Sequence, residues 1–242
     1  MELKPFPYVD TLLEMVDSQG QMIGQERIFA VKRHFGHTRY AKITSIGNRM
    51  YVHHLQDGQP PPDAQVLQYD DVLKRVDSSS RLTFLNLASM DTDIGQLIIR
   101  LSPDTPGARN FALLCSGEEG PTYAMTRLFQ VYHRGKKWEY IGGGDYELNN
   151  GEGGRALVPG LLLGKEYERP WIEGTVRGFW GLGDNVGGQF FINTHSHATG
   201  VCSPAFGIVE NGLEVLKQIV KYYQDISMVF VKDCGIVLSN VV

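Results

Sequence analysis

Two histidines and a cysteine are the residues whose types could bind a metal ion. His195 and His197 flank Ser196, and Cys202 follows a few residues later. Imidazole and thiolate groups are ligands that zinc prefers. A pair of histidines at i and i+2 in a loop, without a nearby carboxylate or a CxxC pair, is more typical of solvent-exposed side chains. We therefore expect no metal site.

A glycine-rich segment, IGGGDYELNNGEGG at 141–154, has the composition of a phosphate-binding loop. It lacks the GK[ST] ending and a helical pattern behind it, so turn formation is the better interpretation. The formal net charge of −4 argues against a surface built for nucleic acid. No apolar run approaches the ~18 residues of a membrane helix, and the charged start MELKPFPYVD is not a signal peptide. We expect no cofactor, and neither a membrane nor a nucleic acid as partner.

A basic strip between residues 27 and 49 contains six cationic residues and no Asp or Glu, interleaved with Phe29, Phe35 and Tyr40. One interpretation is a solvated face of a segment that packs on the rest of the protein. The other is a docking strip for an acidic protein surface. The partner-binding residues predicted on the second interpretation are Arg27, Lys32, Arg33, Arg39, Lys42 and Arg49.

The composition changes near residue 80, which divides the chain of 242 residues into an N-terminal extension (1–80) and a domain (81–242). The spacing of apolar residues predicts helix at 11–16 and 66–76, whereas 28–55 fits either strands or a broken helix. PPP at 60–62 and SSS at 78–80 indicate a linker near 60–80. The three cysteines lie far apart in sequence and indicate neither a disulfide framework nor a zinc knuckle.

After residue 80 the pattern favours short strands. RLTFLNLAS and GQLIIRLS predict a β-hairpin. A helix begins at Pro106 and ends at Gly117, and GLEVLKQIVKYY at 212–223 predicts a second helix. Many short strands with two helices favour a closed antiparallel barrel, which has no exposed sheet edges.

The order of these segments resembles the cyclophilins, a family of prolyl cis–trans isomerases built on an eight-stranded barrel capped by two helices. The resemblance covers about residues 82–239. GGQFFINT at 187–194 matches the family's GSQFFIxT, and FGIVENGLEVLKQI at 206–219 matches FGxVxxGxxVxxxI. Three further segments resemble the family in the same order: the hairpin with the first helix (93–120), GGGDYELNNGEGG, and RGFWGLGD in place of PGxLSMAN.

The resemblance implies a site that works without a cofactor. In the family an arginine hydrogen bonds near the prolyl nitrogen, a glutamine holds the peptide, and an apolar cup takes the proline ring. Such a site stabilises the twisted amide more than the planar one. Gln189 and Phe191 match the peptide-holding glutamine and a cup phenylalanine, and Tyr140 stands in place of one residue of the cup's Phe-Met pair.

The catalytic arginine has two candidate positions. Counting back from Asp145 without a gap places Arg134 there. Extending YAMTRLFQV without a gap instead places Gln130 there, with HRGKK as an inserted loop. RLFQVY alternates as a strand does, which favours Gln130, and a neutral amide cannot replace a guanidinium.

Other positions depart from the family pattern. Gly142 replaces a glutamine, Glu139 replaces a cup phenylalanine, and Asp184 stands where an asparagine is usual. The segment after QFFINT has no tryptophan, and Ser203 lies near the usual histidine. We therefore expect a degenerate site.

These observations predict a cyclophilin-like domain without isomerase activity that acts as a structural or interaction subunit of a larger assembly. The degenerate site and the long extension look most like the divergent cyclophilin-like proteins of cilia and flagella. By that analogy we expect a cytoplasmic protein on axonemal microtubules, whose acidic tubulin surface suits the basic strip. The alternative is an active isomerase of prolyl peptides that uses Arg134, Gln189 and Phe191.

Overall fold

The structure is a computed structural model that describes residues 27–34, 36–46, 49–74, 81–90, 92–103, 105–158, 168–178, 187–202 and 204–238. The apolar stretch 11–16, Phe35, Asp184 and Ser203 lie outside these ranges. The described residues are mainly β, with three α-helices, which confirms the expected class. None of the helices in these ranges has the length and apolar character needed to cross a membrane.

Three α-helices interrupt a chain of fourteen strands in the described residues. The helices are α1 (Tyr69–Leu73), α2 (Pro106–Ser116) and α3 (Leu213–Tyr222), and a short 3₁₀ turn covers Ile226–Met228. The strands are β1 (Ile28–His34), β2 (His37–Ile46), β3 (Arg49–His53), β4 (Gln65–Gln68), β5 (Leu82–Ala88), β6 (Asp93–Leu101), β7 (Leu128–Tyr132), β8 (Tyr140–Gly143), β9 (Arg169–Pro170), β10 (Thr175–Arg177), β11 (Phe190–Asn193), β12 (Val201–Cys202), β13 (Ala205–Asn211) and β14 (Phe230–Leu238).

The described sheet is not closed into a barrel, and its strand count differs from the eight that we expected. Twelve strands lie in the order β4-β1-β2-β3-β14-β5-β6-β13-β10-β11-β8-β7, and β9 and β12 form a separate pair. β14 pairs with β5 on one edge, and on the other edge its residues 235–238 pair with β3. At the start of β14, Phe230 forms one isolated bridge with Arg127. In the described residues, this bridge and the backbone hydrogen bonds beside it connect β14 to the segment at the start of β7.

The described part of the N-terminal extension is mostly sheet. β1, β2 and β3 are antiparallel neighbours, and β4 runs parallel to β1. The helix expected at 66–76 is shorter, because Gln65–Gln68 pairs with β1 and only 69–73 is helical. Within this strand Leu67 is buried and its neighbour Gln68 is exposed, because successive side chains of a strand point to opposite faces.

The predicted hairpin and the two predicted helices are confirmed. β5 and β6 are antiparallel partners over their whole length. α2 begins after Thr105, whose hydroxyl accepts a hydrogen bond from Ala108 N, and ends at Gly117 in the left-handed conformation (φ 71°). This polar cap and the terminal glycine are ordinary helix boundaries. Both helices pack on the sheet, with Phe111 of α2 against the rings of Tyr123, Phe190 and Phe206.

A carboxylate joins the extension to the last strand. Asp233 of β14 contacts His53 Nδ1 at 2.5 Å and His54 Nδ1 at 2.9 Å, and the hydroxyl of Thr44 lies 2.7 Å from His53 Nε2. Burial opposes ionisation of Asp233, but the hydrogen bonds from the two histidines outweigh it and hold the pKa of this carboxyl well below its usual range. β3 is therefore attached to β14 by side chains as well as by backbone pairing.

Candidate functional site

Phe191 is the centre of an aromatic cluster rather than of an open cup. It lies on β11 opposite Gly142 of β8 and Arg177 of β10, and it is only 1% exposed. The ring centres of Tyr140, Tyr132 and Phe129 lie 5.6, 5.8 and 6.2 Å from the centre of its ring. The rings of β7 and β8 therefore cover the predicted cup residue.

Gly142 occupies the position where the family has a peptide-holding glutamine, and the structure explains the glycine. A Cβ atom placed on Gly142 would lie 2.6 Å from Phe129 Cε2 and 3.0 Å from Phe191 Cε1. Such distances are closer than carbon atoms tolerate without a shift of their neighbours. The ring of Phe129 therefore fills the space in which a side chain at 142 would lie.

Arg177 is the arginine that the structure brings to the predicted site. Its guanidinium carbon lies 4.3 Å from the ring centre of Tyr140 and 5.2 Å from those of Trp171 and Phe191. Its Nε donates a weak hydrogen bond to Asn193 Oδ1 at 3.4 Å. Burial lowers the pKa of this guanidinium below its usual value. The arrangement is a cation packed among aromatic rings.

Our sequence reasoning did not select Arg177. The available signal was the segment RGFWGLGD, which carries an arginine where the family's PGxLSMAN begins with proline. That difference indicates a new side chain at the start of the segment. It does not show which residues of the other strands the side chain contacts.

Arg134 lies in the turn 133–139, which connects β7 and β8, since Tyr132 pairs with Tyr140. Its guanidinium donates hydrogen bonds to the carbonyl oxygens of Val220 and Tyr223, the latter at 3.1 Å. These oxygens belong to the C-terminal end of α3, where a positive charge is favourable. None of the described contacts of Arg134 involves Gln189 or Phe191.

Gln130, the other candidate for the catalytic position, lies within β7 opposite Gly142. Its side chain is exposed and makes no hydrogen bond to another described residue. It therefore offers a free neutral amide beside the aromatic cluster, and no guanidinium.

Gln189 holds a neighbouring loop. Its Nε2 donates one hydrogen bond to Gly151 O and one to Gly153 O, both at 2.8 Å, and the residue is 4% exposed. An amide nitrogen has two hydrogens to donate. Both are used within the protein, so the NH₂ group has no further donor for a bound peptide.

Asp145 supports the same loop from the other side. Its carboxylate accepts hydrogen bonds from five backbone N–H groups, those of Glu147, Leu148, Asn150, Gly151 and Gly153. Burial opposes ionisation of Asp145, but the backbone hydrogen bonds outweigh it and lower the pKa of the carboxyl below its usual value. The glycine-rich segment is therefore shaped by turns whose backbone N–H groups converge on one carboxylate.

Glu139, the last residue of the turn, and Tyr140, the first residue of β8, have different roles. The buried carboxylate of Glu139 accepts hydrogen bonds from Thr194 Oγ1 and Gly135 N, both at 2.6 Å. It thereby fastens the turn 133–139 to the residue after β11. The ring of Tyr140 stacks on Tyr132 with 4.7 Å between their centres.

Most cations of the basic strip bind acceptors within the protein. Lys32 Nζ lies 2.8 Å from Glu118 Oε2, and Arg39 donates to carbonyl oxygens that include Gly117 O. Arg49 pairs with Glu210 at 3.1 Å, and Arg27 pairs with Asp63. Two residues of the strip make no ion pair with any residue in the described ranges: Arg33 and Lys42.

The residues considered as metal ligands have other contacts. His195 Nδ1 lies 3.5 Å from Glu139 Oε1, and the ring of His197 packs against Trp138. Cys202 Sγ lies 3.8 Å from Asn193 Nδ2. Within the described ranges, no group of three or more His, Cys, Asp or Glu residues is arranged to hold a metal ion.

Comparisons with known proteins give related sequences. No protein-family model matches the chain. It is 31% identical over 157 residues to the NK-tumor recognition proteins of Mus musculus and Homo sapiens, which covers 60% of this chain. The chain spans only about a tenth of their length, 11% and 10% respectively. It is also 25% identical over 167 residues to a peptidyl-prolyl cis-trans isomerase of Encephalitozoon cuniculi, which covers 65% of this chain and 95% of that protein. These relatives support a cyclophilin-like domain.

Proposed function

We propose that this cyclophilin-like domain does not catalyse prolyl isomerisation and acts as a structural or interaction subunit of a larger assembly. The observation that supports this most directly is the position of Arg177. Its guanidinium packs against the rings of Tyr140, Trp171 and Phe191. These side chains pack on Phe191, the residue that the resemblance assigns to the seat of the proline ring.

The chemistry of the reaction makes this arrangement unfavourable for catalysis. A catalyst must lower a barrier of about 18–20 kcal/mol that amide resonance imposes. It does so with a donor directed at the prolyl nitrogen and an apolar seat for the ring. Gln130 supplies only a neutral donor, and Arg134 is bound to the end of α3. Gln189 donates both amide hydrogens to the neighbouring loop, at Gly151 O and Gly153 O.

An active isomerase is the second candidate. It is favoured by the likeness to the Encephalitozoon cuniculi isomerase, which extends over 95% of that protein. In this alternative the catalytic group is Arg134, and Gln189 and Phe191 bind the prolyl peptide. The alternative requires Arg134 to leave the carbonyl oxygens of Val220 and Tyr223.

An isomerisation assay separates the two candidates. Exchange between the cis and trans forms of a short prolyl peptide is measured by NMR with and without the protein. We expect the uncatalysed rate with the wild-type chain and with Arg134→Ala. Catalysis by the wild-type chain that Arg134→Ala abolishes would establish the alternative instead. The double variant Arg177→Ala, Gln130→Arg serves as a gain-of-function arm, since it opens the seat and adds a guanidinium.

The compartment is a further part of the proposal. We propose a cytoplasmic protein located on the axonemal microtubules of cilia or flagella, supported by the resemblance to divergent ciliary cyclophilin-like proteins. All three cysteines of the chain are free, as is usual in a reducing compartment. A fluorescent fusion in ciliated cells should co-localise with axonemal tubulin. A diffuse signal that detergent extraction removes completely would contradict this location.

A further inference from the structure

A surface of the domain that is separate from the basic strip combines exposed apolar side chains with lysines that form no ion pair. It lies where the turn between β7 and β8 meets the pair of strands β9 and β12. We name it the hairpin surface and define it by six residues: Lys136, Lys137, Trp138, Trp171, Ile172 and Val201.

The segments that carry the hairpin surface are linked by a chain of contacts. The ring of Trp138 lies 5.9 Å from that of His197, and His197 N donates to Trp171 O at 2.9 Å. Trp171 N in turn donates to Gly200 O, and Val201 pairs with Pro170. The tip of the turn, the strand β12 and the segment after β9 are therefore neighbours.

Three of its apolar side chains are unusually open to solvent. Trp138 and Ile172 are each 45% exposed, and Val201 is 62% exposed. Single exposed apolar residues are ordinary, but a group of them beside aromatic rings marks an interaction site. Tryptophan in particular contributes strongly to binding when a partner covers it.

The charge on the hairpin surface is positive. Lys136 and Lys137 are exposed and form no ion pair with another described residue. The neighbouring carboxylate of Glu139 is buried and bound to Thr194 and Gly135, and that of Glu173 pairs with Lys217 at 2.8 Å. At the border, the adjacent Glu168 and Arg169 have opposite charges.

We propose that the hairpin surface docks an acidic polypeptide segment that carries aromatic or aliphatic side chains. This rests on the proposed function of the domain as an interaction subunit, and it places the acidic partner at the turn between β7 and β8. The carboxylates of the segment pair with Lys136 and Lys137, and its apolar side chains cover Trp138, Ile172 and Val201. In the basic strip, by contrast, Lys32, Arg39 and Arg49 already have acceptors within the protein.

A protein partner fits better than a lipid surface or a nucleic acid. Anionic membranes are bound by clusters of about four to eight cations, whereas this surface has two unpaired lysines. Single-stranded nucleic acids stack on open ring faces. Of the two tryptophans of the hairpin surface, Trp171 has the Arg177 guanidinium over its ring, and Trp138 contacts the rings of His133 and His197.

The test measures binding of a synthetic peptide by fluorescence anisotropy with the full chain. The probe is a labelled peptide that repeats Glu-Glu-Phe-Leu, and its matched control repeats Glu-Glu-Ser-Gly. The double variant Lys136→Glu, Lys137→Glu is compared with Arg33→Glu, Lys42→Glu, which reverses the same number of unpaired charges in the basic strip. Trp138→Ala tests the apolar contribution.

We expect the probe to bind more tightly than its control peptide and to weaken about tenfold on reversal of Lys136 and Lys137. Reversal of Arg33 and Lys42 should change its affinity less than about twofold. Equal weakening by both double variants, or no binding of the probe, would overturn the proposal. Tighter binding to phosphatidylserine vesicles or to an oligouridine would overturn it too, by identifying another class of partner. Isomerase activity of the same preparation would refute the non-catalytic function but not the docking proposal, because peptide binding is measured in a separate experiment.

Discussion

The guanidinium carbon of Arg177 lies 5.2 Å from the ring centre of Phe191, and the two residues are direct partners across β10 and β11. Directly opposed residues of an antiparallel pair project their side chains to the same face of the sheet. The long side chain at 177 is therefore directed across the ring of Phe191, toward Tyr140 and Trp171. This one pairing places the guanidinium among the rings of Tyr140, Trp171 and Phe191.

Removing the Arg177 side chain should open this cluster. We expect Arg177→Ala to lower the free energy of unfolding by about 1–3 kcal/mol, because the surrounding rings lose packing. Arg177→Met should cost less, since an apolar chain of similar length fills the space without a buried charge. Urea unfolding measures both.

The matched control for these variants is Arg109→Ala, which removes an exposed arginine without an ion pair to any described residue. It should change the free energy of unfolding by less than about 0.5 kcal/mol. Equal stability of wild type and Arg177→Ala would contradict the packing role of the guanidinium.

Gln189 should act on the stability of its loop. Gln189→Leu removes the donors to Gly151 O and Gly153 O, and should destabilise the protein by about 1–3 kcal/mol because buried acceptors lose partners. Amide hydrogen exchange should accelerate in 147–154 before it accelerates in β5 and β6. Unchanged exchange in this loop would show that Gln189 does not hold it.

The Asp145 carboxyl should make the stability of the protein depend on pH. The pKa of its carboxyl is lower in the folded chain than its ordinary value of 3.8. The ionised form is therefore favoured by folding, and its contribution is complete above the unfolded pKa and is lost as pH falls through the folded pKa. Its hydrogen-bond partners are backbone N–H groups, which do not titrate.

Urea unfolding between about pH 2 and pH 5 measures this contribution in wild type and Asp145→Asn. We expect the stability of wild type to fall more steeply toward acid than that of the variant. Parallel curves for the two proteins would contradict the role of the ionised carboxylate.

Asp233 should decide how firmly β3 is held on β14. Asp233→Ala removes the acceptor for His53 and His54, and leaves two half-buried imidazoles without this partner. We expect faster hydrogen exchange and proteolysis within 49–54, with little change in α2. Asp93→Ala is the control, because Asp93 forms an exposed ion pair with Lys232, and such pairs contribute little.

Local sequence signals were sufficient to predict the elements whose ends are marked by particular residues in the sequence. The hydroxyl of Thr105 and the ring of Pro106 mark the start of α2, and the conformational freedom of Gly117 marks its end. Leu216 and Ile219 are buried on α3 together with Val215, and Leu213 is partly buried against the same core. The alternation in RLFQVY correctly indicated β7, because a period of two is a property of the strand itself.

The tertiary structure decided the features that depend on contacts between distant segments. The strand β3 pairs with 235–238 of β14, and no residue of β3 indicates that partner. The apolar spacing of 66–76 predicted a helix. Parallel pairing with β1 instead makes 65–68 the strand β4. The position of Arg177 over Phe191 follows from the register between β10 and β11. Residue types determine which local conformations are stable, whereas the pairing of strands far apart in sequence determines which side chains meet, and so the chemistry of this site.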